Sequence, residues 1–111
     1  MVGKEKIINS QRVIVYLDKL VQTLYLNDYF SFLESAQNYV GKIYDFINEN
    51  LQSSKHYESP IELKYLGEFY IFYKPNKRTT WYVFFEKKQQ HYLVTSILNN
   101  YSREITNLSE G

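Results

Sequence analysis

The residues best equipped for chemistry in this chain crowd into its last third. In "ILNNYSREITNL" the pair Asn99-Asn100 is followed by Tyr101 and Arg103, which sets two carboxamides, a phenol and a guanidinium close together. Carboxamides offer paired donors and acceptors, and a guanidinium suits a phosphate. Asn100, Tyr101 and Arg103 would therefore fit around a bound phosphate or the polar groups of a partner. They fit equally well a plain strand exit, because Asn tolerates turn geometry and bonds its own backbone. Upstream, Lys74, Lys77, Arg78, Lys87 and Lys88 are set against only Glu86 in the stretch from Lys74 to His91. His91 neighbours Lys87, Lys88 and Tyr92, an arrangement that could greet an anion; lysines at loop tips are also ordinary solubility devices.

Composition narrows the chemistry further. There is no Cys, so thiol catalysis, disulfides and Cys-based zinc sites all drop out. His56 and His91 are not at metal-ligand spacing, and no glycine-rich phosphate loop, HExxH or Gly-x-Ser-x-Gly is present. No metal or cofactor is implied. The formal net charge of +1 is too balanced to point to nucleic acid, although residues 1–60 sum to −1 and residues 61–111 to +2. No apolar run approaches the ~20 residues of a membrane span, and "MVGKEKIINS" has no apolar signal core behind its charges. A single domain over residues 1–111, working in the cytoplasm and not in a membrane, is the expectation.

The elements that must position these residues follow from periodicity. "KEKIIN" (4–9) suits an edge strand, and Ser10 is a plausible N-cap. Val13, Leu17, Leu20, Val21 and Leu24 then recur at helical spacing until Asn27-Asp28 stops the run. A second helix is expected to begin near Tyr29 to Ser31 and to end around Asn50, with Phe32, Ala36, Val40 or Tyr39, Ile43 and Ile47 on one face. So short a connection predicts an antiparallel helix hairpin. After the polar stretch "LQSSKHYESP" the period falls to two: "IELKYL", "EFYIFYK", "TTWYVFFEK" and "HYLVTSIL" read as strands joined by hairpin-length loops. The expected fold is α+β: an N-terminal strand, the helix hairpin, then a three- to four-stranded antiparallel sheet.

Eight aromatic side chains fall between Phe69 and Phe85, on both faces of one hairpin. Phe69, Ile71 and Tyr73 share a face with Trp81, Val83 and Phe85; Tyr70 and Phe72 share the other with Tyr82 and Phe84. If the helices roof only one face, the second is a bare patch of rings, which monomers seldom keep. A partner segment, a second copy of the chain (a homodimer) or a nucleic-acid base is expected there.

In this order and spacing the chain resembles the RelE/ParE superfamily of bacterial toxin–antitoxin toxins. The resemblance lies in "VIVYLDKLVQTLY", in "SFLESAQNYVGKIYDFI" with its small Ala36, in the Tyr-rich "GEFYIFYKP" and in the closing "TTWYVFFEKKQQHYLVTSILNN". It implies a cognate antitoxin protein as partner, a role in plasmid stabilisation, and one of two activities. Ribonuclease members cleave mRNA on the ribosome by orienting the 2′-hydroxyl that attacks the neighbouring phosphate; the other branch binds and poisons DNA gyrase. The near-matches to the catalytic set are Lys74, Arg78, Tyr101 and Arg103. Two departures stand out. Tyr70 occupies the strand position where ribonuclease members place Arg, and Leu98-Asn99-Asn100 replaces their basic segment. Without a firmly held guanidinium, charge on a cleaving phosphate lacks its simplest stabiliser. The resemblance therefore implies a toxin that binds its target; the aromatic face, the loop cations and the strand exit nominate Tyr70, Tyr82, Phe84, Lys87, Lys88, His91, Asn99 and Asn100 as binding residues. A ribosome-dependent ribonuclease is the first alternative. A protein- or RNA-binding module that stacks bases on Tyr70, Tyr82 and Phe84, at about 1–3 kcal/mol per base, is the second.

Overall fold

The computed structural model describes residues 6–27 and 30–105. The first strand, β1, covers Lys6–Asn9, and the two positions before it that were expected to join it lie outside the described residues. Ser10 then caps helix α1 (Gln11–Leu26), its hydroxyl accepting from the Val13 N–H at 3.3 Å. Val13 and Leu17 are wholly buried, and Leu20, Val21 and Leu24 pack beside them, as the helical stripe requires. The Asn27 N–H closes the helix onto the Thr23 carbonyl. Helix α2 runs over Leu33–Asn50, starting a little later than the spacing suggests because Phe32 sits in extended geometry at its N-cap. Its buried face is Ala36, Val40, Ile43 and Ile47, continued by Leu51.

Both helices lie on one face of a sheet. The sheet has five strands: β1, then β2 (Tyr57–Glu58), β3 (Phe69–Tyr73), β4 (Trp81–Lys88) and β5 (His91–Asn99), in the order β1-β5-β4-β3-β2. β1 runs parallel to β5 and every other pair is antiparallel, so the sheet is mixed rather than purely antiparallel, with β1 added to the four strands that follow the helices. The inner face presents Ile71, Trp81, Val83, Phe85, Tyr92, Val94 and Ile97 to the helices. Each such side chain contributes on the order of 1.5–3 kcal/mol when fully withdrawn from water.

Val94 and Ile97 are three positions apart, yet both face inward. A bulge is the reason. The β4–β5 register steps from Phe84 opposite Ser96 to Phe85 opposite Val94, leaving Thr95 as an extra residue. The Thr95 hydroxyl turns outward and donates to the Leu66 carbonyl. This contact belongs to the segment where the sequence departs most from expectation. "IELKYL" forms no strand; Ile61–Leu63 is a turn of 3-10 helix that folds across the outer face of the sheet. Gly67 permits the crossing, because a Cβ there would lie 2.7 Å from both the Phe85 nitrogen and the Thr95 hydroxyl oxygen.

The outer face is consequently not bare. Leu63 and Leu66 cover Tyr82 and Phe84 together with Ile105, which a second 3-10 turn (Arg103–Ile105) delivers. This small second core corrects the picture of a sticky sheet surface at its centre. Among the described strand residues, aromatic surface remains toward the β2 edge, where Tyr57 stacks on Tyr70 at 5.4 Å and Phe72 stays 38% exposed.

Candidate binding site

The residues nominated by sequence separate into three groups. Tyr82 and Phe84 belong to the outer core. Phe84 has no exposed surface and Tyr82 only 7%, so neither offers a ring for a base to stack on. Tyr70 is half-buried between Tyr57 and Tyr82. Burial, then the neighbouring Tyr82 and Tyr57, raise its hydroxyl pKa, which favours the neutral phenol.

Lys87, Lys88 and His91 sit at one end of β4, around the two-residue turn to β5. The Lys87 ammonium lies 5.4 Å from the centre of the Tyr92 ring. Arg78 sits just before the other end of β4, and the strand's eight residues hold the two ends about 23 Å apart. The basic stretch that looked continuous in sequence is therefore two clusters, and no single phosphate could touch both. His56 plays a closing role in the core: its Nε2 donates to the Leu51 carbonyl at 2.6 Å, and its ring stands edge-on to Phe85 and Tyr92.

Around Arg78 the chain is tied down from several sides. Asn76 Oδ1 accepts from the backbone N–H groups of Arg78 and Thr79, at 2.8 and 2.9 Å. Asn100 reaches across from the end of β5: its Oδ1 accepts from the Thr80 N–H at 2.8 Å and its Nδ2 donates to the Arg78 carbonyl at 3.1 Å. The Tyr101 hydroxyl donates to that same carbonyl at 2.8 Å. Asn99 Oδ1 meanwhile accepts from the Tyr101 N–H, shaping the strand exit. Both readings of "NNYSR" thus meet in one place: the local bonds of a strand exit are present, and they hold a basic turn. The side chains of Lys74, Lys77 and Arg78 are exposed and form no ion pair among the described residues. Arg103 is also exposed and starts the turn that carries Ile105 to the outer core.

Beside the tied turn lies a cleft of about 380 Å³, with Asn76, Thr79, Asn99 and Tyr101 along one side. Its other side comes from the helix hairpin, with Leu20, Thr23, Leu24, Phe30 and Tyr39, and Trp81 forms its floor. The Trp81 indole N–H donates to the Tyr39 hydroxyl at 3.0 Å, fixing helix to sheet at the base. Leu26 and Phe32 flank the hairpin tip, 70% and 71% exposed. A groove beside the helix hairpin is what an antitoxin segment would need, but the sequence does not single out the residues on its helix side: Leu20 and Leu24 read as core from their spacing, and nothing local shows that α1 overhangs the sheet there. Asn76, inside "PNKR", carried the one usable signal, since Asn at that place in a turn bonds the backbone two and three residues on.

No family model matches the chain, and neither a curated protein nor a solved structure matches it.

Proposed function

We propose that this protein is the toxin-like component of a type II toxin–antitoxin pair, acting in the cytoplasm by docking on a macromolecular target such as DNA gyrase. The element order supports this reading: a first strand, a helix hairpin and a closing run of antiparallel strands make up the layout that the RelE/ParE resemblance implies. The observation that carries it is the pole where uncompensated Lys77 and Arg78 sit beside an apolar cleft, on a turn tied down by Asn76, Asn100 and Tyr101. An apolar floor with a cationic, rigid rim suits protein docking, because little ordering remains to oppose association. Tyr101 and Asn100 favour binding over chemistry, since their donors are already committed to the Arg78 carbonyl. The test is expression in a bacterium lacking any neighbouring partner gene. Growth should slow, and Lys77→Ala with Arg78→Ala should restore it; normal growth at high expression would end the proposal.

A second reading, ribosome-dependent mRNA cleavage, is favoured by one observation. The Tyr101 hydroxyl bonds the Arg78 backbone carbonyl, so two of the four nominated catalytic residues meet at one turn. Incubating the pure protein in a translating extract separates the readings: cut transcripts that vanish with Arg78→Ala support the nuclease, and intact transcripts support the binder.

A further inference from the structure

β5 is longer than the strand that pairs with its outer edge. β1 matches only His91 to Val94, and the Ser10 N–H makes the last bond, to the Val94 carbonyl at 3.0 Å, before the chain turns away into α1. On the β4 side, the Asn100 N–H bonds the Thr80 carbonyl, so with the observed register Leu98 and Ser96 also point their backbone groups at β4. Ile97 and Asn99 must then point theirs the other way, to the edge β1 has left. The Asn99 carbonyl is taken by the Ser102 N–H. Among the described residues the Ile97 N–H, the Ile97 carbonyl and the Asn99 N–H remain without a partner, an open stretch of strand edge.

A cleft of about 240 Å³ runs along this edge, walled by Arg12 and Tyr16 of α1 on one side and by Tyr65 and Glu104 on the other. Ser96 and Ile97 form its floor. Ser96 is 4% exposed, and its buried hydroxyl has no hydrogen-bond partner among the described residues. An orphaned hydroxyl costs free energy unless something completes it, and it lines the same cleft as the unpaired backbone groups. Arg12 and Glu104, exposed at the mouth, form no ion pair among the described residues, so the rim presents both signs of charge.

We propose that this edge is a docking site for an extended peptide of a partner protein, which adds as a short strand beside Ile97 and Asn99 in the line β1 vacates. Backbone pairing supplies the recognition. One side chain of the peptide packs against Tyr16, and the next, on the opposite face, carries a hydroxyl or carboxamide to Ser96. Proline is excluded at the peptide position whose N–H meets the Ile97 carbonyl. The site meets the Arg78 cleft at Asn99 but does not depend on the toxin reading.

Amide hydrogen exchange on the intact chain tests the edge first. The Ser96 and Leu98 amides should exchange at least about tenfold more slowly than those of Ile97 and Asn99. Equal protection of Ile97 and Leu98 in the free protein means the edge is already closed, and overturns the proposal. Random peptides displayed on phage and selected on the wild-type chain are the probe for the second arm. Selected peptides should slow exchange at Ile97 and Asn99 by about tenfold, bind several-fold more weakly to Ser96→Ala, and bind unchanged to Lys42→Glu, an exposed position of α2 outside the cleft. Selection that enriches nothing, or peptides that protect only amides elsewhere, such as those around Arg78, rejects the site.

Discussion

Two basic turns close the ends of β4, and they are built differently. The β3–β4 turn carries Lys74, Lys77 and Arg78, and its backbone is held by Asn76 from within and by Asn100 and Tyr101 from the end of β5. The β4–β5 turn lies between Lys88 and His91, and Gln89 passes through it at φ 48°, a left-handed conformation taken without glycine. Among the described residues its cations make one contact, Lys87 over the Tyr92 ring. Charge alone does not distinguish the two. Preorganisation does, because side chains on a fixed turn beside an apolar cleft lose less entropy when a partner arrives. The first turn is arranged to present its cations; the second is a tight hairpin that is merely well solvated.

Breaking the ties should give the largest effect. Asn100→Ala removes the acceptor for the Thr80 N–H and the donor to the Arg78 carbonyl, which should lower stability by about 1–3 kcal/mol. The midpoint of urea unfolding reads the loss, and growth inhibition should fail with it. An unchanged midpoint would mean that the turn holds itself. Lys77→Ala with Arg78→Ala cuts differently. Both side chains are exposed and unpaired among the described residues, so stability should move by less than about 0.5 kcal/mol while growth inhibition is lost. A stable, fully inhibitory double variant would remove the functional half of the contrast.

How much of this could be read from sequence depends on the range of the interaction. The Ser10 cap, the Val13–Leu17–Leu24 stripe and the alternation of Phe69, Ile71 and Tyr73 are local patterns, and each maps onto the element it predicts. What escapes is whatever depends on strand order or register. The parallel placement of β1 against β5 leaves no periodic trace in either segment. "IELKYL" alternates like a strand, but Gly67 lets the chain press onto the bulge at Thr95, and burying Leu63 and Leu66 over Phe84 outweighs any pairing. The site divides in the same way. "NNYSR" was conspicuous by composition, yet its role in tying Arg78 depends on Asn100 lying opposite Thr80. Phe84 looked available only because nothing local reveals that Ile105 returns to cover it.

The second turn should respond weakly to every change. Lys87→Ala, Lys88→Ala and His91→Ala together should leave growth inhibition intact. Their cost in stability should stay near that of one exposed cation–ring contact, about 0.5–1 kcal/mol. Loss of inhibition would show that the two ends of β4 act jointly, against the ~23 Å that separates them.

Gln89→Gly probes the smallest term. A left-handed residue with a Cβ carries a penalty of roughly 1–2 kcal/mol, which glycine removes. Glycine also gives the unfolded chain extra freedom, worth about 0.5–1 kcal/mol in the opposite direction. The net expectation is a gain of a few tenths of a kcal/mol, resolved by a small rise in the urea midpoint at constant slope. A drop instead would mean that the Gln89 side chain makes interactions of its own, and that this turn, like the one at Arg78, is specified by its residues and not only by its length.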